Sequence, residues 1–271
     1  MDVKHIKVLY FSPTGGTKNI ALYVAKGIAR RLGLEPQVID FTKPKNRQRD
    51  YQFGADELLV AAVPVYAGRV PNKLLPDLSS RLMGNGTPAV LICAFGNRSP
   101  GEALRELTLL MEGNGFCAAG AAAFVCRHAF SDHVGTGRPD GEDRIQMQDF
   151  AAQTADKLTA PGLFPLLEID RSEIGPYYTP LKTDGTPARF LKAKPLTDRD
   201  RCTHCGLCAE VCPMASINAG TMEAEGVCIK CQACVRHCPI HAKYFEDADF
   251  LSHVSMLEQN YGRRAENMVF T

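Results

Sequence analysis

Along the first 159 positions the apolar residues fall into two alternating patterns. Nearly continuous apolar runs at 6–11, 36–41, 58–64, 88–95 and 116–126 have the length of buried strands. Between them, stretches at 18–32, 72–82, 101–114 and 142–158 repeat apolar residues at helical spacing. Strands alternating with helices in this way predict a parallel sheet covered on both faces. The expected fold class is therefore α/β, a doubly wound five-stranded parallel domain over 1–159.

The pattern then dissolves. Six prolines between 160 and 198 (Pro161, Pro165, Pro176, Pro180, Pro187 and Pro195) interrupt any long element. Leu163, Phe164, Leu166, Leu167, Ile169, Tyr177 and Tyr178 are too apolar for a free linker, so this strap is expected to pack against a domain. Residues 199–247 form a small cysteine-rich unit with an internal repeat. The remaining stretch, 248–271, reads as a helix and tail, with Phe250, Leu251, Val254 and Leu257 as a packing stripe.

Charge adds little to this picture. Lysine plus arginine number 31 against 30 aspartates and glutamates among 271 residues, so no global field draws the chain to nucleic acid or an anionic membrane. The run Lys43, Lys45, Arg47, Arg49 reads as a solvated loop. No export signal opens the sequence, and no apolar run approaches the ~20 residues of a membrane span, so a cytoplasmic location without a membrane span is expected.

Cysteine changes the picture more. Of eleven cysteines, eight crowd into 202–238, which in a reducing compartment points to metal rather than disulfides. Cys93, Cys117 and Cys126 lie in or beside apolar runs and read as buried structural thiols. The pattern Cys-x2-Cys-x2-Cys-x3-Cys-Pro occurs twice, as Cys202, Cys205, Cys208, Cys212 and as Cys228, Cys231, Cys234, Cys238, the two copies twenty-six residues apart. This is the bacterial ferredoxin run, in which the fourth cysteine ligates the other cluster. It implies two [4Fe-4S] clusters, one on Cys202, Cys205, Cys208 and Cys238, the other on Cys228, Cys231, Cys234 and Cys212. Zinc ribbons instead pair two separated Cys-x2-Cys knuckles. With eight thiolates sufficient, His204, His237 and His241 are expected at the surface or in packing.

The loop "SPTGGT" after the first strand matches neither the dinucleotide fingerprint nor the P-loop. Ser12, Thr14 and Thr17 supply hydroxyls, and Gly15 and Gly16 let amides turn inward at a helix N-terminus. That suits a terminal monophosphate, unless Thr17 is only a helix cap. The third and fourth strands end in "PVYAGRVP" and "CAFGNRSPGEA", each with an aromatic followed by glycine where a flat ring could stack.

"SPTGGT" resembles the phosphate loop of flavodoxins, and the resemblance implies FMN in a sheet of order 2-1-3-4-5. Ser12, Pro13, Thr14, Gly15, Gly16 and Thr17 would then hold the phosphate. Tyr66, Ala67 and Gly68, with Phe95, Gly96, Asn97 and Arg98, would flank the isoalloxazine. Flavodoxins often stack a tryptophan there, and this chain has none, so Tyr66 is the expected substitute. Phe95 either meets the ring or closes its strand. Arg98 either faces the ring's polar edge or forms a surface salt bridge. His128 and His133 follow the fifth strand, where they could shape access to the flavin.

The two modules together resemble the ferrodoxin family, in which flavodoxin-like and ferredoxin modules share one polypeptide. The "GNR" loop, "GRPDGED" and the tail "NYGRRAENMVF" share in the resemblance. It implies an electron carrier relaying between two [4Fe-4S] clusters and FMN, and to or from a redox partner protein or small acceptor. An FMN-dependent reductase acting directly on a small substrate, and a redox sensor with structural clusters, stay open as alternatives.

Overall fold

The computed structural model describes residues 2–162, 165 and 167–271. Leu163, Phe164 and Leu166 of the strap lie outside the described residues. The α/β unit runs β1 (His5–Tyr10), α1 (Gly16–Leu32), β2 (Pro36–Asp40), α2 (Pro44–Arg47), β3 (Tyr51–Phe53), β4 (Glu57–Pro64), α3 (Leu75–Arg81), β5 (Leu82–Gly84), β6 (Thr87–Phe95), α4 (Ala103–Gly113), β7 (Phe116–Val125) and α5 (Gly141–Thr159). The cysteine unit holds β8 (Leu196–Thr197), α6 (Leu207–Glu210), α7 (Ala233–Arg236) and β9 (Lys243–Tyr244). It is followed by α8 (Ala248–Asn260) and β10 (Met268–Phe270).

The central sheet has the order β10-β7-β6-β4-β1-β2. Its five long strands are parallel and follow the flavodoxin order 2-1-3-4-5. The sixth strand comes from the tail, where Met268–Phe270 pairs antiparallel with Ala121–Ala123 of β7. The segment expected as helix and tail thus also closes one sheet edge.

Alternation along β1, β4, β6 and β7 sends residues to two cores, which is why these strands read as continuous apolar runs. Ile6, Val8, Leu58, Val60, Val90 and Ile92 face α1 and α5. Leu9, Leu59, Ala61, Leu91, Leu107 and Met111 belong to the opposite core, under α3 and α4. Helix α1 turns Ile20, Ala21, Val24, Ala25 and Ile28 onto its face of the sheet and stops at Gly33, whose φ of 66° is left-handed. Helix α5 starts on a capping box, with Asp140 accepting from the Asp143 N–H and Asp143 from that of Asp140.

The cysteine unit repeats in backbone as well as in sequence. Left-handed residues recur twenty-six positions apart, at His204 and Lys230, at Gly206 and Gln232, and at Ala215 and His241. Helices α6 and α7 follow the middle pair. The small β8–β9 ladder, Leu196 to Tyr244 and Thr197 to Lys243, ties the unit's two ends together.

An aromatic knot joins the units. Phe250 of α8 lies 5.0 Å from Phe130, 5.5 Å from Phe190 and 4.7 Å from Phe245, ring centre to ring centre. The packed face of α8 is Phe250, His253, Met256 and Leu257, while Leu251 is exposed. The expected stripe is therefore shifted in part: Phe250 and Leu257 pack, Val254 is half-buried, His253 and Met256 join them, and Leu251 alone faces outward.

Candidate functional site

The loop between β1 and α1 is an open cradle. Gly15, the N-cap of α1, sits at φ 90° and has no side chain with which to cap it. The Ser12 hydroxyl accepts from the Lys18 N–H at 2.9 Å, and the Ser12 N–H donates to the Thr42 hydroxyl at 2.8 Å, so the loop is held from outside its bend. Among the described residues no acceptor meets the N–H groups of Thr14, Gly16 or Thr17. Thr17 is buried but is not the helix cap. Unpaired amides at the positive end of a seventeen-residue helix have the chemistry to receive an anion.

Behind this cradle lies Cys126, a neighbour that sequence reading placed only as a structural thiol. A Cβ on Gly16 would sit 3.4 Å from its Sγ. Burial pushes the Cys126 thiol up to about 12, so it stays protonated and unreactive.

The second loop, after β4, is a tight turn in which Tyr66 and Arg69 exchange backbone hydrogen bonds at 2.9 and 3.0 Å. Ala67 (φ 49°) and Gly68 (φ 75°) are both left-handed, the signature of a type I′ turn. The Arg69 guanidinium grips Glu106 bidentately at 2.8 and 2.5 Å, and the Val70 N–H adds a third bond to that carboxylate. The turn holds Tyr66 at the boundary between the two units. Its hydroxyl is raised well above the ordinary tyrosine range, by burial first and then by the neighbouring Cys231 and Cys228.

The third loop holds the largest departures from expectation. Phe95 is 2% exposed and belongs to the sheet core, so it closes its strand and its ring is not free for a ligand. Asn97 is also consumed: its amide donates to the carbonyls of Tyr261 and Arg263, both at 2.7 Å, and its oxygen accepts from the Ala265 N–H. Arg98 makes no salt bridge among the described residues and lies 3.9 Å over the Tyr178 ring. These side chains are diverted because strap and tail both return to this edge of the sheet. What the loop leaves open is backbone: the amides of Gly96 and Asn97 meet no acceptor among the described residues.

Gly96 presses on His128, where an added Cβ would fall 2.3 Å from the ring. The imidazole Nδ1 accepts from the Phe130 N–H at 3.1 Å. Burial, then His253, Arg98 and Arg236, lowers His128 to about 4, so it is neutral at pH 7. His133 is exposed.

The eight cysteines surround two hollows. Cys212, Cys228, Cys231 and Cys234 line one, with Phe245 on its wall. Cys202, Cys205, Cys208 and Cys238 line the other, beside Met222. Each hollow thus takes three cysteines from one motif and the fourth from its twin. Backbone donors repeat the symmetry: the Ser216 N–H reaches Cys212 Sγ at 3.3 Å, and the Ala242 N–H reaches Cys238 Sγ at 3.2 Å. His204, His237 and His241 are exposed and line neither hollow.

The hollow containing Cys212 faces the α/β unit. Arg47 donates to the Pro213 carbonyl, is paired with Asp77 at 2.9 Å, and lies 5.6 Å over Phe11. Ile229 packs into the sheet core, and Arg236 reaches back to the Ala129 carbonyl and to Asp132. The run expected as a solvated loop thus gives up Arg47, which is buried at this junction.

Residues 195–218 match a family model described as a 4Fe-4S binding domain, and residues 225–250 match a second of the same description. Comparison with curated proteins found no match. Similar solved structures include a flavodoxin from Streptococcus pneumoniae TIGR4, 21% identical, covering 57% of this chain and 99% of that one at a TM-score of 0.41. A flavodoxin from the domain Archaea is 16% identical over 58% of this chain and 100% of that one, at 0.38. An NADH:FMN oxidoreductase is 16% identical over 60% and 94%, at 0.40.

Strand order and cysteine spacing define the class, an α/β unit of flavodoxin order joined to a ferredoxin-type iron–sulfur segment. The chain thus joins a sheet unit of strand order 2-1-3-4-5 to two segments that match 4Fe-4S binding domains. Among the described residues no helix is long and apolar enough to cross a membrane.

Proposed function

We propose that this chain is an electron-transfer protein that holds FMN on the 12–17 loop and one [4Fe-4S] cluster in each four-cysteine hollow. The residues suit these groups. Three unpaired amides and the free hydroxyls of Thr14 and Thr17 match a phosphate. The amides of Gly96 and Asn97 match the polar edge of a flavin, and Tyr66 supplies a flat face beside it. Thiolates with N–H donors aimed at sulfur match a cluster.

The observation that carries the reading is the junction at which Arg47 of the sheet unit donates to the Pro213 carbonyl next to Cys212, and Ile229, next to Cys228, packs against the sheet core. Tyr66 of the flavin-side turn feels the charge of Cys228 and Cys231 there. Cys205, in the other set, is exposed. The cysteine sets therefore lead from the surface toward the sheet edge. When bound, the clusters exchange single electrons and the flavin one or two, so their combination joins one-electron to two-electron chemistry. The protein fixes their spacing: Arg47, Ile229 and Arg236 hold the units together. An external donor or acceptor meets the Cys205 end in this reading, and a second partner or small acceptor meets the flavin edge, with either direction of flow.

Anaerobic purification with cofactor analysis, followed by photoreduction, tests the reading. About one FMN, eight irons and eight labile sulfides per chain are expected. Both cofactor types should then reduce through exchange within one chain. Clusters that reduce while a bound flavin of comparable or higher potential stays oxidised would defeat the relay.

A further inference from the structure

Lys243 is 3% exposed, a degree of burial that lysine rarely tolerates. It stands on β9 opposite Thr197 of β8. Its ammonium donates to the Thr197 hydroxyl and to the Met222 carbonyl, both at 2.8 Å. Among the described residues no carboxylate pairs with it, and no acceptor takes its third N–H. A buried cation without an anion is costly, so the site calls for a counter-charge beyond the carboxylates of the chain.

The position of Lys243 indicates where that counter-charge lies. The residue lines the hollow of Cys202, Cys205, Cys208 and Cys238. It also reaches toward the other set: Met222, whose carbonyl holds the ammonium, packs in one buried cluster with Cys208 of this hollow and Cys234 of the other, and Lys243 pulls down both of these thiols, which burial raises. It thus touches the electrostatics of one cysteine from each hollow. Met222 completes the contact, its sulfur 3.7 Å from Cys208 Sγ while its carbonyl holds the ammonium.

We propose that Lys243 is the shared counter-cation of the two clusters and holds both reduction potentials upward together. The inference rests on the cluster assignment above. Reduction adds one electron from an external reductant, and hence one negative charge, to each core, with no bond made or broken. A fixed ammonium in a low-dielectric interior stabilises the more negative state, so it favours reduction. Because one ammonium serves both hollows, its removal moves two potentials, whereas a ligand or surface change at one hollow moves one.

The experiment uses anaerobically prepared full-length protein, assayed for iron and sulfide and then titrated potentiometrically with dithionite under EPR detection. In Lys243→Gln, which keeps a donor for Thr197 and Met222, both clusters should show at least a tenfold lower reduced-to-oxidised ratio at a fixed potential. That corresponds to about 59 mV for a one-electron couple. Lys243→Arg should stay within threefold of the wild type. Thr197→Val, which loosens the brace but leaves the charge, should do the same.

A loaded Lys243→Gln protein in which either cluster keeps its potential overturns the inference. So does Thr197→Val moving both clusters as far as Lys243→Gln, since the effect would then be bracing. Wild-type protein without about eight irons per chain would instead overturn the cluster assignment, and this inference with it.

Discussion

The backbone N–H of Tyr178 donates to the carbonyl of Ala67 at 2.8 Å. This bond lays the strap over the type I′ turn that carries Tyr66, and the Tyr177 hydroxyl adds a second bond to the Val70 carbonyl at 2.8 Å. Arg98 then closes over the Tyr178 ring. A proline-broken segment thereby becomes one wall of the candidate flavin site. Tyr178→Ala should cost about 1 kcal/mol of stability through the lost cation–π contact. It should also speed release of bound flavin, read as the return of free-flavin fluorescence on dilution.

The cradle at the head of α1 predicts discrimination by phosphate. Thr17→Ala should weaken FMN binding about tenfold, the worth of one hydrogen bond to a charged group. Riboflavin, which lacks the phosphate, should bind both proteins alike. Equal losses for the two ligands in parallel fluorescence titrations would place Thr17 in packing alone.

The crossed hollows make an unusual prediction for single serines. Cys238→Ser should perturb the same cluster as Cys202→Ser, although Cys238 closes the other motif. Cys212→Ser should match Cys228→Ser. Each substitution should remove up to about four irons, and EPR of the reduced proteins should sort the four variants into those two pairs.

His128 sets an acid limit. Its folded value of about 4 lies below the ordinary 6.5, so the unfolded chain binds the extra proton first. The stability it contributes is complete above pH ~6.5 and declines toward pH ~4, by as much as about 3 kcal/mol. His128→Asn keeps an acceptor for the Phe130 N–H and does not titrate. Its deficit in thermal midpoint against the wild type should therefore shrink between pH 7 and pH 5.

The four inner parallel strands were legible because burial on both faces makes a strand uniformly apolar, as in Leu58 to Val63, whichever way each side chain points. β10 was not legible. It is three residues long, and Met268 and Val269 are 41% and 40% exposed, so only its pairing with β7 makes it a strand. Loop positions could be read, but loop side chains could not: the directions of Asn97 and Arg98 depend on tail and strap residues 80 to 168 positions away. The cysteine repeat was explicit in spacing. Its matching left-handed turns were hidden, because His204, Lys230 and Gln232 adopt them without glycine. Lys243 gave no local sign at all, since its neighbours in sequence do not reveal the hollow it lines.

Because β10 follows the cysteine unit in sequence yet hydrogen-bonds to β7, the iron–sulfur segment interrupts the chain of the sheet unit and is not appended to it. A single protease cut in the strap would leave both fragments clasped, with α8, the Asn97 bonds and β10 still bridging the gap. Separating the two halves by genetic dissection would accordingly strip an edge from one of them, so each would have to be expressed alongside the other to assemble.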